Sequence, residues 1–240
     1  MLCKISDLFV EIPATGGLAS RCREYLTDEK LDGSADIIIR ADRFNPQKWE
    51  HLSEEENIYL QSGSQFYRQL LDFDGLMLHS SAVEFEGKAY LFSGPSGMGK
   101  STHTRLWQQA FGSRVNIFND DKPALRRLED GWYAYGTPWC GKDGININMK
   151  VPIAGICFLK RGNENQISRL SCSDAIKYTI SQTIRRFKEP ISLDSMLYIT
   201  EKLVNEIPVY EFFNKPEPDA ARISFETMSR GAMEINYENQ

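Results

Sequence analysis

The 240-residue chain predicts an α/β fold, a mixed central β-sheet flanked by helices with a phosphate-binding glycine loop (P-loop) at the end of one strand. From residue 76 onward, short apolar runs alternate with helical patterns, as in sheets covered by helices. A complete glycine-loop motif stands between a predicted strand and a predicted helix. Apolar residues make up 41% of the chain, with 13 Phe, 10 Tyr and 4 Trp, enough to bury a sizeable core and too apolar for a disordered segment.

Residues 1–75 read as an N-terminal extension packing on the core, and residues 76–240 as the nucleotide-binding catalytic domain. The extension carries strand candidates at Leu8–Ile12 and Asp36–Arg40. A helix follows, opened by Ser53 with Glu56 three residues on as a capping box, and carrying Ile58, Leu60, Phe66, Leu70 and Leu71. One strand is expected over Leu76–Glu84, a turn at Glu86-Gly87 and a second strand over Ala89–Ser93. After the glycine loop come a helix to about Phe111, a strand Arg114–Phe118, and a hairpin of Ala124–Leu128 and Trp132–Tyr135. A loop, Gly136–Gly144, leads to a buried strand Ile153–Leu159 and to helices Ser173–Phe187 and Leu193–Asn205, separated by Pro190. A strand Val209–Phe213 and a helix from about Pro218, with Glu217 and Asp219 near its positive end, close the chain.

The chemistry concentrates in Gly94-Pro95-Ser96-Gly97-Met98-Gly99-Lys100-Ser101, which matches G-x-x-x-x-G-K-[ST] at every fixed position. At a glycine frequency of roughly 7%, a chance match in such a length is on the order of one in a hundred. Backbone N–H groups of such a loop and the N-terminus of the helix beyond it close around phosphate oxygens, and glycine lets the backbone approach the anion. Lys100 then reaches the β- and γ-phosphates of a nucleoside triphosphate, Ser101 ligates Mg²⁺, and Thr102 adjoins them. A second metal handle and a group acting on the nucleophile are needed nearby, and Asp120-Asp121 supplies both. Adjacent carboxylates are expected to push one pKa up, as a general base requires.

His79 has apolar or small neighbours, the setting of a core histidine. His51 and His103 lack a metal-ligand set, although His103 falls close after the loop, near the phosphates. In Gly136–Gly144, Trp139, Lys142 and Asp143 offer stacking, charge and hydrogen bonding to an acceptor, and the glycines permit closure.

Taken together, His79, Gly94–Ser101 and Asp120-Asp121 resemble the catalytic domain of HPr kinase/phosphorylase, whose nucleotide site is related to that of phosphoenolpyruvate carboxykinase. The resemblance is firm over residues 76–125, looser to about 215, and does not cover 1–70. It implies that His79 lies in the active site, Lys100 and Ser101 hold phosphates and Mg²⁺, Asp120 supports the metal, and Asp121 takes the proton from an attacking serine hydroxyl. Thr102-His103 stand where the family usually has a glutamate after the serine, and Gly136–Gly144 stands in the place of its glutamate-arginine-glycine segment. Arg185-Arg186 are the nearest basic residues to the family's late arginine loop.

The 28 Lys plus Arg against 33 Asp plus Glu, a net charge of -5, leave no basic footprint for nucleic acid or an anionic membrane. Five scattered cysteines without a CxxC, no long apolar N-terminal core and no membrane-length apolar run predict a cytoplasmic protein. The expected activity is Mg²⁺-dependent transfer of the γ-phosphate of ATP to a hydroxyl, on a serine of a protein or peptide or on a small metabolite. The alternative is an ATP-binding sensor without transfer; a homo-oligomer is left open.

Overall fold

The computed structural model describes residues 1–45, 47–183 and 190–238, which build two sheets. In the smaller one, β1 (Leu2–Ile5) and β2 (Leu8–Glu11) pair antiparallel, and β3 (Ile37–Ile38) adds parallel to β2. Sequence reading missed β1, because its turn residues Ser6 and Asp7 both adopt positive φ (56° and 59°). Such a turn is ordinarily signalled by Asn-Gly. α1 (Gly16–Arg21) follows β2, and α2 (Glu54–Gln69) starts where its capping box predicts. Ser53 Oγ accepts from the Glu56 amide at 3.2 Å while Glu56 Oε2 accepts from the Ser53 amide at 2.9 Å.

The larger sheet is mixed and curled. The strand expected over Leu76–Glu84 divides into β4 (Gly75–Met77) and β5 (Ser80–Phe85), because the two parts pair with different neighbours. β5 turns at Glu86-Gly87 into β6 (Lys88–Ser93), as expected. Beyond the glycine loop, α3 (Lys100–Phe111) leads to β7 (Val115–Asp121), which runs past Phe118 and takes both aspartates into the sheet. β8 (Ala124–Leu128) and β9 (Gly131–Tyr135) form the expected hairpin. β10 (Lys150–Arg161) curls the sheet: its first residues pair antiparallel with β9, and from Ile153 it runs parallel to β6.

β11 (Gln166–Arg169), too short and polar to be read from sequence, pairs with the later β12 (Val209–Asn214), which lies parallel to β10. α4 (Cys172–Ser181) ends before the predicted Phe187; the remainder of that expectation, with Arg185-Arg186, lies outside the described residues. Pro190 opens α5 (Pro190–Glu206), a first-turn position where its missing N–H costs nothing. α6 (Ala220–Glu238) ends the chain. Among the described residues no helix is long and apolar enough to cross a membrane.

α3, through Trp107, and α6 cover one face of the sheet over Phe85, Tyr90 and Phe92; α4 and α5 cover the other over Leu91, Ile156 and Phe158. A third cluster joins the N-terminal residues Ile5, Val10, Tyr25, Phe66 and Leu70 to Met77, Ala124, Tyr135 and Trp139 of the larger sheet and its loop.

Trp139 corrects an expectation. Its ring is not presented on an exposed loop: it is fully buried, stacks on Phe66 at 4.7 Å and donates from Nε1 to Ser62 Oγ at 3.0 Å. A Cβ on Gly63 would come within 2.9 Å of its ring, so α2 and the loop are fitted to one another without slack. Trp139→Ala should therefore lower unfolding free energy by about 3–5 kcal/mol, the scale for emptying a buried Trp site, read from urea denaturation.

Candidate active site

β5 lies antiparallel to both β6 and β7, so β6 and β7 run in the same direction and end at the same sheet edge. Ser80 pairs with Ser93 on one side and with Asp121 on the other. That single row puts the glycine loop, which begins after Ser93, the aspartate pair at the end of β7, and His79, which precedes Ser80, at one place.

In the loop, Gly94, Gly97 and Gly99 have φ of 144°, 77° and 95°, a region that side-chain-bearing residues rarely adopt. A Cβ on Gly94 would press against the Leu159 carbonyl at 3.2 Å and against Met98. Around Gly97 and Gly99 no atom of the described residues beyond the chain neighbours lies within 4 Å of such a Cβ, so the loop is open there for a ligand to approach the backbone. Lys100 is buried and folds back over the loop, Nζ donating to the carbonyls of Gly94 at 2.9 Å and Pro95 at 3.3 Å. Burial lowers its pKa, and the charges of Asp121 and Asp120 work against that.

The two aspartates, adjacent in sequence, have different neighbours. Asp120 is buried and accepts from Ser101 Oγ with both carboxylate oxygens, at 3.1 and 2.9 Å. Asp121 Oδ1 lies 3.0 Å from His79 Nε2, and its Oδ2 accepts from Lys122 Nζ. Burial pushes the Asp121 pKa up, but the hydrogen bond from His79 and the charge and hydrogen bond of Lys122 outweigh it and hold the group well below the usual carboxylate range. At Asp121 the expectation of a raised pKa is overturned, because cations outnumber the second anion there. His79 is no core histidine either. Its ring is part-exposed at the break between β4 and β5, with Nδ1 3.2 Å from the Gln182 side-chain oxygen.

These groups line one cleft of about 1030 Å³, into which Ser96, Gly97, Gly99, Lys100, Ser101 and Thr102 also open. Its far wall comes from the N-terminal segment. Arg21 of α1 donates to Cys140 Sγ at 2.9 Å and lies 5.0 Å over the Tyr59 ring, and Tyr59 of α2 donates to the Cys140 carbonyl at 2.6 Å. Neither residue carries a local signal in the sequence, since both belong to a segment outside the motif. The Gly136–Gly144 loop does return to this cleft, through Cys140 to Gly144. Lys142 and Asp143 line it, and Asp143 is tied to Arg105 of α3 at 2.5 Å. A bridge between Asp121 and Cys140 and a bond from the Gly141 amide to the Asp120 carbonyl fasten the loop to β7.

His103 is not at the phosphate side. It points to the opposite side of α3, fully buried, 3.0 Å from Ser224 Oγ and 4.4 Å from the Phe92 ring, and burial holds its pKa down to about 3. His51 is exposed in the turn before α2 and does not line the cleft.

Among solved structures the chain is similar to the Hpr(Ser) kinase/phosphatase from Coxiella burnetii, at 10% identity and a TM-score of 0.35, over 68% of this chain and 99% of that one. No family model and no curated protein matches.

Asp121 has φ of 110°, between residues fixed by the sheet and by Cys140. Such a conformation in a non-glycine residue costs on the order of 1–3 kcal/mol and is retained where neighbours over-determine it. Asp121→Gly should accordingly unfold at higher urea than Asp121→Ala by about 1 kcal/mol, both variants lacking the carboxylate. Equal stabilities would remove the strain.

Proposed function

We propose that this chain is a Mg²⁺-dependent phosphotransferase that moves the γ-phosphoryl group of ATP to a hydroxyl, on a serine of a protein or peptide or on a small metabolite. The observation supporting it is the shared sheet edge at Ser93, Ser80 and Asp121, where an open glycine loop, a lysine, a serine–carboxylate pair and a separately held carboxylate meet.

The loop amides and the start of α3 bind the phosphate oxygens, and Lys100 exchanges the Gly94 and Pro95 carbonyls for the β- and γ-phosphates. Ser101 Oγ and the Asp120 carboxylate, 2.9 Å apart, are hard oxygen donors that fit Mg²⁺, which often takes one or two protein ligands beside phosphates and water. A Mg²⁺ held by Ser101 and Asp120 would supply neutralisation of charge on the transferring group. Asp121 orients the acceptor hydroxyl. A carboxylate held this low is a weak base, which suits a loose phosphoryl-transfer transition state in which the proton leaves late. The acceptor oxygen bonds to the γ-phosphorus, the bond from that phosphorus to the bridging oxygen of ADP breaks, and the hydroxyl proton passes to Asp121. His79 and Lys122 keep the carboxylate turned toward the cleft.

Saturating Mg²⁺-ATP should stabilise the wild type against thermal unfolding by about 2.7 kcal/mol at a hundredfold excess over Kd. Lys100→Ala should lose that protection; a wild type without it contradicts nucleotide binding. Asp121→Asn should keep ATP protection while transfer to hydroxyl acceptors falls about 10²-fold or more. ATP protection with no transfer to any hydroxyl would assign the nucleotide-sensing role instead.

A further inference from the structure

A second cleft, of about 420 Å³, meets the first at its chemical centre: Tyr59, Leu60, His79 and Asp121 line both. Its other walls come from α2 and the turn before it, through Trp49, Tyr67 and Arg68, and from Met77 of β4. Asp121 therefore stands between two chambers, and a hydroxyl entering from the second one meets the phosphate side of the first at that carboxylate.

The lining indicates what enters. Most polar groups of the cleft are already engaged. The Tyr67 hydroxyl donates to the Lys122 carbonyl at 2.5 Å and shares a hydrogen bond with Thr137, and Gln182 faces His79. A free polyol or similar metabolite would find few partners for its hydroxyls there, and burying them unpaired is costly. The rest of the lining is apolar surface and cations, of which Lys48 lies over the Trp49 ring and Lys122 pairs with Asp121. Lys48, Arg68 and Lys122 line the cleft against one carboxylate, Asp121, which Lys122 and His79 already hold. Arg68 donates from one Nη to Ser64 Oγ at 2.9 Å, and among the described residues no ion pair involves its guanidinium. A guanidinium with unused donors beside apolar walls matches a carboxylate carried next to an apolar side chain.

We propose that this second cleft is the acceptor subsite and that it takes a peptide segment in which the reacting serine or threonine is flanked by an aromatic or aliphatic residue and by an acidic one, the acid being read by Arg68. This rests on the reading above for the chemical step but concerns docking, which is measurable without transfer. The probes are two fluorescein-labelled peptides with a central serine, one flanked by phenylalanine and glutamates, the other by phenylalanine and lysines, with a third, glutamine-flanked peptide as the neutral control, all titrated with the protein and read by anisotropy. The acidic peptide should bind at least about tenfold more tightly, a difference of about 1.4 kcal/mol, and added salt should narrow the gap. Arg68→Gln should remove most of that preference while binding of a glutamine-flanked peptide and protection by ATP stay unchanged, and Arg68→Lys should restore part of it. Equal binding of the two labelled peptides, no binding of either, or an Arg68→Gln variant that loses all three peptides alike would overturn the proposal. Peptide discrimination in a protein that ATP does not protect would instead count against the phosphotransfer reading and leave the subsite standing.

Discussion

The candidate site depends on the position of β5. Because this strand lies antiparallel to β6 on one side and to β7 on the other, two strands far apart in the chain end side by side. The residues at those ends, the glycine loop and the aspartate pair, are thereby set within one side chain's reach, and the residue before β5, His79, falls between them. A slip of one residue in either register would turn Asp120 and Asp121 to the opposite faces of the sheet. The register is held by buried side chains along the same strands, Val83, Phe85, Phe92 and Phe118 among them, so the apolar core and the polar edge are one constraint.

Within that edge, electrostatics separate two chemically identical neighbours. Asp120 receives a hydroxyl from the start of α3, while Asp121, kept at positive φ by its bridge to Cys140, turns to a histidine and a lysine. The backbone strain is what points successive carboxylates in different directions. An unstrained strand would achieve this only by placing them on opposite faces, one of them away from the glycine loop. Strain and cation pairing therefore oppose each other energetically at Asp121 and together define its orientation.

The N-terminal segment contributes more than cover. Trp139, buried between α2 and the loop after β9, fixes the loop that carries Cys140, Lys142 and Asp143 to the cleft. Arg21 of α1 and Tyr59 of α2 hold the same loop at Cys140. Packing of aromatic rings at one point thus sets the spacing between two walls of the phosphate-side cleft, and α2 also lines one side of the second cleft beside Asp121. Stability of the extension and geometry of the site are linked through those contacts.

Much of this was legible in the residues themselves where the signal is local. The glycine loop is readable because its conformation demands glycine at set positions, the α2 start because a capping box is satisfied within four residues, and the β5–β6 and β8–β9 hairpins because their turns are short. The aspartate pair was readable as a carboxylate source by its distance from the loop, but its electrostatics were not, since the shift at Asp121 comes from His79, forty-two positions earlier, acting together with Lys122. Trp139 looked like a ligand-stacking residue because a loop rich in glycine and charge looks exposed; only the approach of α2, with Gly63 leaving room for the ring, decides that it is core. The neighbour-based reading of His79 as core and the placing of His103 near the phosphates differ from the structure for the same reason, because burial is set by which element packs across a residue. α6 closes over His103, whereas the break between β4 and β5 leaves His79 facing the cleft. Local covalent and hydrogen-bonding rules act over a few residues and are written into the sequence. The fate of a side chain is settled by strands and helices that arrive from distant parts of the chain, and that arrangement is set by tertiary packing alone.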